Sequence, residues 1–531
     1  MRPQVSWTTE AERDLLVDQA LDLLETVGMR FGPSASLEAL GQAGARVDRA
    51  RGVARIPRAL VERSLALCPH EVLLAGADEA DDVLLDGSAV HFVPSGTPNK
   101  ILDEETGRAR DATSDDARRA VIVADAMPAV DVMWMPVGAV DIEPDEMQFA
   151  ELIALVEWSA KHVQHEVTAP WHVEPTLAAC FALSGGVAGF RSRPRVSFIC
   201  CTHSPLGVGH PLLDLNVQVA RAGAPVVVYP MPIAGATAPV TVAGAVVMNV
   251  AEFLGCAAAI QLQAPGAPLV MGSGTSLLDM RGGTFCFGSV ETALMCAACV
   301  EVGHALGVPV LAPGLATDAL HGGIQAGYEK ALKGLAVAQS GADLITGGVG
   351  MLHGAGLFSL PQVVIDGEIA AMVLRLLNGT EVSVNAVMNE VTARVGFDGD
   401  YLRQKETSRR LRAGEVFQPQ IATRATVEAW EREGRDELDR ARERAREIVA
   451  AADARAALRG AHERLHQGGV RQRIHLGHDA AALATLGGKA HGVDHAGQEA
   501  VQRERRDHEL PQPGQAALVG QVVEDRVHVR R

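Results

Sequence analysis

Three acids, Asp279, Glu291 and Asp318, stand in or beside two Gly-rich loops of the stretch 266–330, GAPLVMGSGTSLLDMRGGTFCFGSVETALMCAACVEVGHALGVPVLAPGLATDALHGGIQAGYEK. Each loop follows a short apolar run introduced by Gly-Ala-Pro or Gly-Val-Pro, and each feeds a helical pattern. Loops of this composition at the carboxyl ends of buried strands are where α/β proteins keep their chemistry, so the stretch reads as one wall of an active site. Carboxylates there can hold a cation or move a proton. Glu291, in the first turn of a helix, could equally satisfy free backbone N–H groups. Glu166 follows another apolar run, where an acid is costly unless paired or used. His203 and His353 each follow a strand candidate in a loop with Gly or Pro, the setting of a functional imidazole, with a satisfied structural histidine as the alternative. Glu329, four residues before Lys333, reads as a helical salt bridge.

The eight cysteines raise the question of zinc, because Cys200-Cys201 and Cys296-x-x-Cys299 could be ligand pairs. Cys296 and Cys299 lie in the apolar helix LMCAACV, where small buried thiols are the common outcome, and no histidine stands at finger-like spacing. No metal site is expected. A zinc-dependent thiol methyltransferase would need three converging ligands, and Cys200, Cys201 and His203 are the starting set.

Around these residues the chain alternates helix and strand. Apolar residues at helical spacing predict helices over 8–27, 34–43 and 57–67, and the alternation in VLLDGSAVHFV predicts a hairpin. Residues 1–116 therefore read as a small α+β cap with its boundary in the polar segment 103–116. From about residue 120 an internal echo appears: Gly223-Ala-Pro-VVVYP, Gly266-Ala-Pro-LVMGS, Gly307-Val-Pro-VLAPG and Gly341-Ala-Asp-LITGG, each after a helix and before a Gly-rich loop. Such units imply parallel strands, since only a crossover helix lets the next strand run the same way. With runs upstream and a strand near 90–93, the count reaches about eight, which closes a barrel. The expected fold is α/β, a (β/α)8 TIM-type barrel over 117–390 with the N-terminal cap and a C-terminal helical extension over 391–460. An open doubly wound sheet ranks lower because no G-x-G-x-x-G follows any strand. The tail 461–531 holds eight of the eighteen histidines and no aromatic residue, Cys, Met, Ser or Asn; it reads as disordered, a mis-called extension of the gene.

At 531 residues and 47% hydrophobic, the chain suits one large barrel with appendages. A net charge of -17 without a basic patch before the C-terminus argues against nucleic acid. The first 30 residues carry early acids and no uninterrupted apolar segment, which predicts a cytoplasmic protein with reduced thiols, no signal peptide and no membrane span.

Taken together the pieces resemble the trimethylamine and glycine betaine methyltransferase family, corrinoid-dependent enzymes that demethylate methylated amines. The resemblance covers most of 21–449. It rests on LDLLETVGMRF, GARVDRARGVARIP, LDEETGRARDAT, GATAPVTVAGAVVMNVAEFLG, SLLDMRGGTFCFGSVETAL, IQAGYEKAL and VIDGEI, and on the run from VGFDGDYL to Trp430. It implies a barrel that binds a methylated amine at the strand carboxyl ends and presents the methyl group to cob(I)alamin on a separate corrinoid protein. The chain itself would then hold no cofactor tightly, and it would be a homo-oligomer. The methanogen trimethylamine enzymes carry pyrrolysine, whereas this chain reads through with ordinary residues. A quaternary ammonium already leaves as a neutral tertiary amine, so the expected substrate is a betaine or carnitine-like compound.

Such a cation donates no hydrogen bond, so its site needs aromatic faces and a carboxylate at a distance. Aromatics are only 4% of the chain, which narrows the candidates to Trp134 and Tyr229 at strand ends and Phe285 and Phe287 in a loop. Tyr229, followed by Pro-Met-Pro, is placed to face the mouth, while Phe285 and Phe287 read equally as loop packing. A substrate carboxylate would find Arg281, His353 or the N–H groups near Gly288 and Ser289, with His203 and Gln325 close by in the same set of loops. The expected catalytic acids and base are Glu166, Asp279, Glu291, Asp318 and His353. A different class of protein, a non-catalytic sensor or scaffold that binds a methylamine or a corrinoid protein, needs the same cage.

Overall fold

A computed structural model describes residues 5–94 and 96–470. Its centre is a set of eight parallel strands: β1 His91–Phe92, β2 Val132–Trp134, β3 His162–His165, β4 Val196–Cys201, β5 Val226–Tyr229, β6 Leu269–Gly272, β7 Val310–Pro313 and β8 Leu344–Thr346. They pair in chain order, and β8 pairs with β1. A bridge from Phe92 to Val130, with the Asp131 N–H donating to the Phe92 carbonyl at 3.0 Å, closes the ring beside β2. The eight-stranded parallel barrel is thus the observed fold. Its strands are mostly apolar and buried on both faces because side chains fill the inside and helices cover the outside.

A helix follows each strand: α1 Ser114–Asp125, α2 Pro144–Trp158, α3 Pro170–Leu183, α4 Leu212–Ala222, α5 Val242–Gln263, α6 Val290–Ala305, α7 Ile324–Gln339 and α8 Leu360–Leu377. The echo glycines do one job. Gly223, Gly266, Gly307 and Gly341 have φ of 104°, 80°, 75° and 97°, the left-handed turn that ends a helix and sends the chain into the next strand.

The first helix, Glu10–Thr26, starts at a Thr9–Glu12 capping box and packs along α5 together with Ala35–Gln42 and Arg58–Leu65. Covered by the barrel on one side and by these helices on the other, α5 is apolar all round. It is the one helix among the described residues long and apolar enough to cross a membrane, and 83% of its apolar window is buried. The hairpin expected within VLLDGSAVHFV does not form. Val83–Leu85 pairs antiparallel with Val72–Leu74, while His91–Phe92 leaves to become β1. That hairpin lies under β3 and β4, its Ala75 and Ala77 N–H groups donating to Pro194 and Ala160. The segment read as a domain boundary is also structured. Lys100–Leu102 and Ala109–Asp111 form a hairpin that joins Met351–Leu352 and Leu357–Phe358 in a four-stranded sheet linking the loops after β1 and β8.

Among the described residues the chain divides into two units, with the division between Val449 and Ala450. After α8 the first unit carries the short helices Val384–Val387, Asn389–Val395, Lys405–Arg412 and Val427–Glu433. The last helix, Glu437–Val470, runs through the start of the stretch read as a tail; residues 471–531 lie outside the described residues.

Candidate active site

The carboxyl ends of β2 to β5 bring together residues far apart in sequence. Trp134 ends β2 and Tyr229 ends β5, both buried, with ring centroids 6.5 Å apart and planes at 87°. The Gly-rich run MGSG makes the space for this. A Cβ at Gly272 would stand 2.4 Å from Tyr229 Cδ2, and one at Gly274 would stand 2.9 Å from its Cε1. These two glycines clear room for the phenol ring, and burial pushes its hydroxyl pKa well up, so it is neutral.

Glu166 lies one residue past β3, half-buried, with no hydrogen-bond donor and no cation beside it among the described residues. Burial pushes its carboxyl up to about 7. Glu151, on α2, is raised to about 8 by burial and then by the charge of Glu166. Both carboxyls therefore retain protons near neutrality. Below them Gln164 is registered with Trp134, so both face into the barrel. Its Nε2 and Oε1 are buried without a partner among the described residues.

Alternation along β3 and β4 sorts the neighbours. His162 is structural, its ring nitrogens 3.1 Å from the Ala75 carbonyl and 2.9 Å from Ser197 Oγ. His165 faces outward against Phe198, ring centroids 6.4 Å apart, and burial holds it down at about 3. Cys201 is registered with Tyr229 and borders the mouth, its thiol pushed up by burial and by Glu166. Cys200 takes the opposite face and is raised to about 12, so neither is a thiolate. Among the described residues no three His, Cys, Asp or Glu side chains converge as metal ligands, which leaves the zinc reading without support. His203 is exposed, on a loop fastened elsewhere: Glu252 accepts from the Thr202 hydroxyl, Ser204 Oγ at 2.9 Å and Leu206 N at 2.9 Å.

The carboxyl ends of β6 to β8 use their acids differently. Asp318 accepts from the Phe287 and Gly288 N–H groups at 2.7 and 3.0 Å, which locks the β6 loop to the β7 loop. Glu329 accepts from the Thr317 hydroxyl, from Asp318 N at 2.8 Å and from Gln325 Nε2 at 2.9 Å. It is therefore a loop brace and not half of the expected Glu329–Lys333 pair. Lys333 is buried; its ammonium donates to the Phe287 carbonyl at 2.7 Å and lies 5.6 Å from that ring's centroid. Phe285 and Phe287 stack edge to face at 5.4 Å, and Phe285 is 45% exposed. Asp279 turns to Arg281 at 3.1 Å on the exposed turn of the hairpin Ser276–Asp279/Thr284–Cys286. Glu291 is exposed, and Ser289, not Glu291, caps α6. His353 is exposed with φ of 50°, its N–H donating to the Ala319 carbonyl at 2.8 Å. Behind these loops Lys330 and Asp366, both fully buried, pair at 2.8 Å and hold the Gly348 carbonyl and the Gly350 N–H.

The sequence-predicted site thus divides. Trp134, Tyr229 and Glu166 lie together at the β2–β5 side. Asp318, Phe285, Phe287, His353 and Gln325 belong to the contacts among the β6, β7 and β8 loops, while Asp279, Arg281, Glu291 and His203 stand apart, exposed or paired locally. Sequence reasoning missed Glu151, Gln164 and the Lys330–Asp366 pair. Gln164 was findable, because alternation through HVQHEV puts it on the face of Glu166; Glu151, inside an apolar helix, carried no local signal.

A family model described as trimethylamine methyltransferase matches residues 1–473. A trimethylamine methyltransferase of Desulfitobacterium hafniense (strain DSM 10664 / DCB-2) is 31% identical over 430 residues, covering 81% of this chain and 86% of that one. A glycine betaine methyltransferase of Desulfitobacterium hafniense (strain Y51) is 26% identical over 450 residues, covering 84% and 93%. Among solved structures, the monomethylamine methyltransferase of Methanosarcina barkeri aligns over 84% of this chain and 89% of its own, with a TM-score of 0.49 and 12% identity.

Proposed function

This chain belongs to the trimethylamine methyltransferase family, and from that premise we propose that it moves a methyl group from a quaternary methylated amine to cob(I)alamin carried on a partner protein. The observation that supports the reading is that the Trp134–Tyr229 pair and Glu166 stand at the carboxyl ends of β2, β5 and β3, with Glu151 near enough for the charge of Glu166 to act on it, and that neither carboxyl has a donor among the described residues. A quaternary nitrogen has no N–H to give. It is held by aromatic faces, worth about 0.5–2 kcal/mol each, and by a nearby negative charge. Donorless carboxylates suit that cation because they ask for no hydrogen bond in return.

Cation binding favours the ionised carboxyls, so it expels protons that they hold. Gln164 supports a substrate with a polar arm, since its buried Nε2 can donate to a carboxylate or hydroxyl oxygen that reaches it. The corrinoid acts as a co-substrate. Its cobalt(I) attacks a methyl carbon in line; the C–N bond breaks, its electron pair stays on nitrogen, and a neutral tertiary amine departs without needing a proton. The protein's part is to orient the methyl group outward and to keep water from the cation.

The test is to supply the protein with reduced corrinoid protein and a panel of methylated amines, reading methylcobalamin by absorbance. Turnover of glycine betaine or a carnitine-like compound is expected. Turnover of trimethylamine with every quaternary amine inert would overturn the substrate reading, and saturable binding with no methyl transfer to any acceptor would make the protein a sensor.

A further inference from the structure

A strongly basic groove stands out in a chain of net charge -17. Five arginines, Arg30, Arg46, Arg49, Arg51 and Arg55, line an open cavity of about 660 Å³ against a single acid, Asp48. Three short strands build it: Met29–Arg30, Arg46–Asp48 and Val53–Arg55 form an antiparallel sheet in which Arg46 lies directly opposite Arg55. Like charges across a ladder are unfavourable, so this placement costs the free protein stability. Glu38 engages Arg49 through two bonds at 2.8 and 2.7 Å. Arg30, Arg46, Arg51 and Arg55 are exposed and have no ion pair among the described residues.

The groove adjoins the mouth. Arg30 N donates to the Leu206 carbonyl at 2.9 Å and its carbonyl accepts from Val208 N at 3.0 Å, which ties the sheet to the loop leaving β4. That strand ends at Cys201, registered with Tyr229. Leu206 itself lines the groove.

We infer that this groove docks an acidic face of the protein that carries the methyl acceptor to the mouth. The inference rests on the methyl-transfer reading for the carrier's purpose, and on charge and position for the surface. The registers put Arg30, Arg46 and Arg55 on one face of the sheet, an open row of exposed guanidiniums that matches several carboxylates of a protein surface, each able to take a guanidinium with two hydrogen bonds. Because the rest of the molecule is acidic, the groove also orients an acidic partner's approach, bringing it in beside the mouth.

The test compares the wild type with the triple variants Arg46→Glu/Arg51→Glu/Arg55→Glu and Arg46→Gln/Arg51→Gln/Arg55→Gln. The partner probe is a corrinoid carrier protein of a trimethylamine system, with glycine betaine as methyl donor. Carrier binding is measured by biolayer interferometry at low and high salt, and methyl transfer is measured to the carrier and to free cob(I)alamin. Expected are carrier binding and KM weakened at least tenfold in the Glu variant and less in the Gln variant, wild-type binding that falls steeply with salt, and an unchanged rate with free cob(I)alamin. Carrier binding that is absent in the wild type, or equal in all three proteins, overturns the inference. So does a Glu variant that elutes at a smaller size than the wild type, which would assign the groove to a second copy of this chain. Charge-dependent carrier binding without transfer to either acceptor would sink the methyl-transfer reading and leave the docking surface standing; transfer to the carrier with equal binding in all variants would do the reverse.

Discussion

The two walls of the barrel mouth hold similar acids in opposite ways. At the β6–β8 side, Asp318 and Glu329 accept backbone N–H groups, and Asp366 takes a buried ammonium and a backbone N–H. At the β2–β5 side, Glu166 and Glu151 accept no hydrogen bond among the described residues, and the charge of Glu166 acts on Glu151. The difference teaches how to sort carboxylates by their donors. One whose lone pairs are spent on backbone is part of the scaffold. One that is half-buried and unsatisfied is poised for a ligand, because without a ligand cation only protonation relieves its desolvation.

The largest effect that could break this contrast lies in the scaffold wall. Lys330→Met leaves Asp366 buried without its cation, and we expect a loss of about 3–5 kcal/mol in denaturant unfolding. A loss below about 1 kcal/mol would show that the pair is not what holds the β8 loop.

The next effect sharpens the other wall. Glu166→Gln should weaken binding of a quaternary amine by about a hundredfold, since a unit charge at roughly 5 Å in an effective dielectric of about 20 contributes about 3 kcal/mol. Its signature is the pH profile. Both carboxyls are raised, to about 7 and about 8, so the folded protein retains protons that the unfolded chain has already released. The unfolding free energy of the amine-free protein therefore falls as pH rises from the ordinary carboxyl range through these values. Amine affinity moves the other way and rises over the same window, because binding releases the proton. Calorimetry in buffers of different ionisation enthalpy should detect that release in the wild type and not in Glu151→Gln/Glu166→Gln; an identical profile in both proteins would show that these carboxyls do not hold the released proton.

Smaller again is the aromatic contrast. Trp134→Leu or Tyr229→Leu should weaken amine binding by about 0.5–2 kcal/mol, up to about thirtyfold, while Phe285→Leu, from the other wall, leaves it unchanged. Equal effects from the two walls in a titration would merge them into one site. The smallest expected effect is that of Asp279→Ala. Its surface pair with Arg281 should leave the unfolding midpoint and amine affinity unchanged; a large loss of binding would return Asp279 to the mouth.

Much of the fold was legible in the chain. The Gly-x-Pro punctuation, the apolar runs and the intervening helical periodicity marked all eight strands, including the short β1, because turn chemistry and periodicity are local properties. The hairpin read from VLLDGSAVHFV failed for a nonlocal reason. Alternation identifies strands but not their partners, and Val83–Leu85 had a better one upstream in Val72–Leu74. The site was legible only in part. Trp134, Glu166 and Tyr229 were signalled by standing at strand ends. Asp279, Glu291 and Asp318 looked equally eligible, since composition does not reveal which acid a backbone N–H will reach.

The sequence by itself determined the order and kind of elements, and with them the parallel barrel and the end of it where chemistry would lie. Tertiary structure alone decided which acids stay unsatisfied. Asp318 is spent by N–H groups about thirty residues upstream, and Glu151 gains its raised pKa only when folding buries it and, secondarily, brings Glu166 near. Desolvation and donor count are properties of what surrounds a group in space, and closing the barrel is what creates those surroundings.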